Sequence, residues 1–201
     1  MTVTPGRRER KKAATRQQIA DAALRLFLER GYDAVGIRDV ATEADVAVTT
    51  VFSHFASKEA LVFDQDEDFE QRLRRAVTDR APHEPLIPAL RREIKTLVRL
   101  CEADSAAPMR RMVDETPALR EHEHAMGLRH AQSLATVIAA DPALSQTSMA
   151  CRTIARFAVG AYSLAREAAD PEAAVDEIFR MIEAAWEVTR PSGEPTGTAG
   201  R

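Results

Sequence analysis

Cysteine is scarce in this chain. Cys101 and Cys151 are the two among 201 residues, with no Cys-x-x-Cys spacing. Neither a disulfide-built scaffold nor a cysteine zinc site can rest on them. Eight glycines and 5% aromatic residues are too few for a turn-rich β architecture and favour helices throughout. No apolar run approaches the ~18 residues of a membrane span. The opening MTVTPGRRERKK leads into no apolar segment of the kind that follows a secretory start. No membrane partner is therefore expected, and the expected location is the cytoplasm. A glycine-rich phosphate loop, a paired metal motif and a nucleophile with a visible base are also missing. These absences argue against an enzyme, although a helical-bundle oxidoreductase or hydrolase stays open as an alternative because spatial constellations can hide in a sequence.

What is present is apolar and charged residues, at 45% and 29%, enough for one or two domains with a real core. The net charge of −3 conceals an asymmetry. Arg7, Arg8, Arg10, Lys11, Lys12 and Arg16 face only Glu9 within the first twenty residues, whereas residues 61–201 carry a net negative charge. A basic end on a mildly acidic body suits contact with a polyanion, and suits a solvated tail equally well.

Residues 1–14 lack apolar periodicity and are expected to form a disordered arm. Thr15 with Gln18 reads as a capping box, and Ile19, Ala23, Leu26 and Phe27 follow at helical spacing until Gly31. A short helix is expected over Ile37–Ala44, a turn at Asp45, and a third helix from Val48 to about Phe55. Ser57 then caps a fourth helix opening with Lys58. Three helices in about forty residues, the last two short and tightly joined, make a helix-turn-helix. The third carries Thr49, Thr50 and Ser53, with His54 at its end. Such short donors let a helix approach base edges closely, Lys58 would add a phosphate contact, and beside such a unit the arm cations Arg7, Arg8, Arg10, Lys11, Lys12 and Arg16 are expected to contact the DNA as well.

Ile19–Leu61 resembles the N-terminal domain of TetR-family transcriptional regulators. The resemblance rests on Glu29-Arg30-Gly31-Tyr32, Ile37-Arg38-Asp39-Val40-Ala41, Val46, Thr50-Val51-Phe52 and Phe55-Ala56-Ser57-Lys58-Glu59-Ala60-Leu61. It departs from the family at Gly36, where Thr is frequent, at Asp45, where Gly is usual, and at Phe52, where Tyr is usual. The resemblance implies that Val48, Thr49, Thr50 and Ser53 face the groove and that Arg38, Phe52, His54 and Lys58 meet phosphates or the groove edge. Three competing readings stand beside these: a salt bridge from Arg38 to Asp39 or Glu43, a capping role for Thr49 and Thr50, and a structural role for His54.

Beyond residue 61, helices are expected near 58–80, 86–103, 108–114, 117–140, 147–169 and 171–189, most of them set apart by prolines. Ile154, Phe157, Ala158, Ala161 and Leu164 form one apolar stripe, and Val175, Ile178, Phe179, Ile182 and Trp186 form another. Either could be monomer core; the family resemblance implies that they pair with a second copy as a homodimer. Phe69, Leu73, Leu90, Ile94, Leu97, Met109, Met112, Val113, Leu119, Met126 and Leu134 have core spacing, and the resemblance implies an apolar effector pocket among them. Residues 111–120 with Trp186 also resemble the mycofactocin-system regulator branch, which implies an acyl-coenzyme A effector with Arg110, Arg111 or Arg120 on its phosphates. Glu121-His122-Glu123-His124 and His130 read as a solvated stretch without a metal.

The fold expected is thus all-α: arm 1–14, a homeodomain-like helix-turn-helix over 15–60, an effector and dimerisation domain over 61–190, and a disordered tail over 191–201. The expected function is a repressor released from a palindromic double-stranded operator by a small effector, with no cofactor. A structural DNA-binding protein without an effector is the remaining alternative.

Overall fold

The computed structural model describes residues 6–64, 66–81, 83–103, 106–144 and 146–188, leaving out the side chains of 66 and 67. The start of the expected arm and all of the expected tail lie outside them. The described residues are helical, with no strand. The helices are α1 (Arg7–Arg30), α2 (Ile37–Glu43), α3 (Val48–His54), α4 (Asp66–Thr78), α5 (Leu86–Glu102), α6 (Ala107–Glu115), α7 (Pro117–Ala139), α8 (Ser148–Arg166) and α9 (Pro171–Val188), with a 3₁₀ turn at Glu59–Leu61.

Two starts differ from expectation. α1 begins at Arg7, not Thr15, so residues 7–14 are helical where a disordered arm was expected. The reason is an earlier cap: the Glu9 carboxylate accepts from the Gly6 amide at 2.9 Å, and Arg, Lys and Ala then propagate a helix well. No helix opens at Lys58. Ser57 does act as a cap, accepting from the Ala60 amide at 3.3 Å, but what it caps is the single 3₁₀ turn.

The chain divides into two compact units, one of residues 1–67 with 103–124, the other of 68–102 with 125–201. The boundary expected at 60/61 is displaced because α6 and the first turns of α7 join the helix-turn-helix. Val113 and Leu119 share its core with Ile19, Leu26, Phe27, Val40, Val51 and Phe55. Each turn in this unit has a local cause. Gly31 stops α1 at φ 86°, and Asp45 stands between α2 and α3 at φ 49°, a left-handed conformation that aspartate tolerates better than most residues.

In the second unit α5, α8 and α9 pack on one another, joined by Leu73 and Val77 of α4 and Leu134 and Ile138 of α7. Thr147 caps α8 through its hydroxyl, which accepts from the Ala150 amide at 3.1 Å. Asp170 serves α9 in the same way, accepting from the Ala173 amide at 3.0 Å, with Pro171 at the first helical position, where its missing N–H costs nothing.

The stripe expected to form a dimer surface is mostly this unit's own core. Ile154, Ala158, Ala161, Val175, Phe179, Ile182 and Trp186 are buried within the single chain. Ile178 is partly buried against the same cluster. Phe157 and Leu164 alone of that set are exposed, at 50% and 59%, and Met149, Met181 and Val188 join them. Helices α8 and α9 are therefore apolar on two sides.

The expected pocket residues divide as well. Leu73, Leu90, Ile94, Leu97 and Leu134 are core of the second unit with Phe69 against them; Met126 is buried and belongs to neither cluster. Val113 and Leu119, with Met109 and Met112 against them, are core of the first unit. No single cluster unites the eleven. No helix among the described residues is long and apolar enough to cross a membrane.

Candidate nucleic-acid interface

α3 is a seven-residue helix and could not persist alone. Val51 is fully buried, as is Phe55 just beyond the helix, and Val48 packs partly against the same core. This anchoring turns the other side of α3 outward. Thr49 and Ser53 are exposed, Thr50 and His54 half-buried, and Phe52 is 56% exposed. Ala47 occupies the N-cap position, so Thr49 and Thr50 are not caps and the capping alternative drops out. Ser53 Oγ donates to the Thr50 carbonyl at 2.7 Å, leaving its lone pairs outward. His54 Nδ1 is shut away from solvent and has no hydrogen-bond partner among the described residues.

The supports of α3 are polar and directional. Gln18 Nε2 donates to the Ala44 carbonyl at the end of α2, at 2.8 Å. Arg16 donates to the His54 carbonyl at the end of α3, lies 4.3 Å over the Phe55 ring and pairs with Asp64 at 2.7 Å. Lys58 Nζ donates to the Tyr32 carbonyl just past α1, at 2.6 Å, and sits 3.9 Å over the Tyr32 ring. The Ala44 and His54 carbonyls are of the kind a terminating helix leaves unpaired, whereas the Tyr32 carbonyl also accepts from the Val35 amide at 3.4 Å. Arg16 and Lys58, expected as phosphate contacts, are thus engaged in holding the unit together.

Arg38 behaves differently. Its two expected competitors are occupied: Asp39 accepts from the Gly36 amide at 2.7 Å, which caps α2 despite the glycine, and Glu43 pairs with Arg25 at 2.5 Å. Arg38 is exposed and forms no ion pair among the described residues. The same holds for Arg7, Arg8, Arg10, Lys11 and Lys12, all exposed along α1.

Behind this surface lies a network that the sequence did not suggest. Tyr32 Oη donates to Glu59 Oε1 at 2.9 Å. Burial, and then the neighbouring Glu59 carboxylate, push the phenol upward. The Ser57 hydroxyl, followed by Glu59's own backbone amide and the Tyr32 hydroxyl, holds Glu59 below the usual carboxylate range. His122 stacks on Phe63 at 5.5 Å, and His130 is 5% exposed and stacks on Phe69. Neither is a solvated side chain as expected. An aromatic partner for each exists in the sequence, but at separations that spacing alone cannot match. Among the described residues no three His, Cys, Asp or Glu side chains converge as metal ligands.

The short helices, the left-handed turn and the outward hydroxyl face are the parts of a helix-turn-helix, and residues 19–64 match the sequence model described as "Bacterial regulatory proteins, tetR family". Residues 19–64 are a TetR-family N-terminal domain. The chain is 31% identical over 123 residues to the HTH-type transcriptional regulator TcmR of Streptomyces glaucescens, covering 57% of this chain and 54% of that protein. It is 35% identical over 103 residues to the HTH-type transcriptional repressor Rv3405c of Mycobacterium tuberculosis, covering 49% and 55%. The matched region thus spans about half the length of these relatives. The fold extends further. The TetR-family regulator SCO0857 of Streptomyces coelicolor superposes with a TM-score of 0.63 at 22% identity, over 93% of this chain and 99% of that one. The TetR-family repressor AlkX of Dietzia superposes at 0.61 with 21% identity, over 86% and 97%.

Proposed function

We propose that this chain is a DNA-binding transcriptional repressor that reads a palindromic duplex as a two-fold dimer and releases it when a small apolar molecule binds the second unit. The observation that carries the reading is the outward side of α3. Thr49, Ser53 and Phe52 stand exposed on a helix pinned from behind by Val51 and Phe55. Hydroxyls can bond base edges and phosphates, and an exposed phenyl ring beside them suits a thymine methyl. Arg38, free of its acidic neighbours, would meet a phosphate. Rv3405c is itself named a repressor, which supports repression as the sign of the regulation.

A dimer follows from the geometry of groove reading, because two recognition helices enter successive major grooves only about 34 Å apart. Its surface would be the outer side of α8 and α9, where Phe157, Leu164, Met181 and Val188 are half-exposed or more and a Cβ added at Gly160 would meet nothing within 4 Å. The effector can act only through unequal affinity for two states of that dimer, and a coupling of about 1–3 kcal/mol changes operator affinity roughly 5–150-fold. Acyl-coenzyme A gains no support over other apolar molecules. Arg120 donates to the Asp114 carbonyl and the neighbouring apolar residues Val113 and Leu119 are core of the first unit.

Selection of bound sites from random duplexes tests the proposal. A single palindrome preferred about 10³-fold over random DNA is the expected result. Thr49→Ala should weaken that site more than random DNA. Leu164→Asp should give folded monomers with poor operator affinity. Absence of any preferred duplex at moderate ionic strength would overturn the reading.

A further inference from the structure

We propose that the first two turns of α1 form a rigid cationic rail that follows the DNA backbone outward from α3, with Arg8 and Lys12 as its phosphate contacts. The inference rests on the DNA-binding reading above and extends the contact surface beyond the helix-turn-helix.

The helix runs well past anything it packs on. Its first buried residue is Ile19, and residues 6–14 are exposed. Five of the six residues over Arg7–Lys12 are cationic, and the sixth, Glu9, is engaged with the Gly6 amide. These cations form no ion pair among the described residues. Arg7 with Lys11 and Arg8 with Lys12 repel each other at i, i+4, and Arg7, Arg8 and Arg10 sit in the first turn, where the helix dipole disfavours positive charge. Neither folding nor packing gains from this arrangement, whereas a polyanion laid along it would.

Register selects which cations meet the polyanion. Arg8, Lys12 and Arg16 recur every four residues and share one stripe of the helix. Arg16 fixes where that stripe points, because its guanidinium reaches the carbonyl of His54, the last residue of α3, and covers the Phe55 ring. Lys12 and Arg8 continue the same line about 6 and 12 Å farther along the axis. Arg8 and Lys12, about 6 Å apart along the helix, can therefore meet successive phosphates of one strand. Arg10 lies on the far side of the helix from Lys12, and Arg7 about 100° round from Arg8. This asymmetry separates a rail from a generally sticky tail.

The test compares full-length wild type, the double variant Arg8→Ala with Lys12→Ala, and the charge-matched Arg7→Ala with Arg10→Ala. Each is titrated with the selected duplex, its flanks trimmed stepwise, over a range of salt. Wild type should lose affinity as the flanks shorten. The Arg8/Lys12 variant should be weaker on long duplexes, indifferent to trimming, and shallower in its log–log salt slope by about 2 per protomer, since each lost phosphate contact removes ~0.9. The Arg7/Arg10 variant should keep the wild-type dependence on flank length. Matching thermal melts would show that no folding loss is being read. Equal losses in both variants, or a wild type blind to flank length, would overturn the rail while leaving the DNA-binding reading intact. Failure of wild type to bind any duplex would overturn both.

Discussion

The two units of this chain are held together by different kinds of contact. In the first, polar side chains reach across to backbone: Gln18 to Ala44, Arg16 to His54 and Lys58 to Tyr32, each on a carbonyl at or just beyond a helix end. In the second, long helices bury wide apolar faces, and charged side chains bridge helix to helix at the margin. Arg72 pairs with Glu93, Lys95 with Asp176 and Arg99 with Glu172. Helix length explains the contrast. Seven-residue helices have few intrahelical bonds, so α2 and α3 depend on side chains that complete their ends. Helices of seventeen residues or more satisfy themselves and need only be packed. A reading head that must hold a short helix in one orientation gains from bonds with direction, which apolar contact lacks.

The contrast can be broken at its strongest point first. Phe179, 1% exposed in the second unit, should cost about 3–5 kcal/mol on replacement by alanine, measured by denaturant unfolding. A much smaller loss would mean that apolar packing does not dominate there. Next comes Asp141, paired with Arg80 where both side chains are largely buried. The Arg80 guanidinium, helped by the Ala143 amide, holds this carboxylate below its ordinary range. A depressed value means that its contribution is complete above the unfolded carboxyl pKa and disappears as the pH falls through the folded one. Asp141→Asn should therefore destabilise by about 2 kcal/mol at neutral pH. The gap to wild type should close on acidification, and a gap constant with pH would remove the charge from the explanation. The smallest stability effect belongs to the first unit. Gln18→Ala leaves the Ala44 carbonyl without its side-chain donor and should cost about 1 kcal/mol. Its mark should be local, with faster amide exchange in α2 and α3 and little change in α8, and uniform protection would argue against directional capping.

Much of this was legible beforehand because it depends on local rules. The helix-turn-helix follows from Gly31, Asp45 and the apolar spacing of Ile19 to Phe27, and α5, α7, α8 and α9 lie within a few residues of where proline and periodicity put them. Most of the differences share one cause, which is that a pattern identifies a face but not its neighbour. Val175, Phe179, Ile182 and Trp186 form a stripe at 3.6-residue spacing whether own chain or partner covers it. The structure gives that stripe to the monomer core and leaves Met181 and Val188 outside. Arg16 and Lys58 read as free cations because nothing in the sequence says that the His54 and Tyr32 carbonyls come within reach. Thr15 and Gln18 satisfied a capping rule, yet the helix already had an earlier start at Gly6 and Glu9.

Helix α9 is gripped along one edge by charge, Glu172 and Asp176 to Arg99 and Lys95, while Met181 and Val188 lie open to water. Dissolved ions act on these two sides with opposite sign. A concentrated sulfate solution would weaken the electrostatic seam by screening and raise the drive of the oily side to find cover. Association through the oily side should therefore rise with sulfate while the ion pairs contribute less, so the salt response of association reports the apolar side and not the seam.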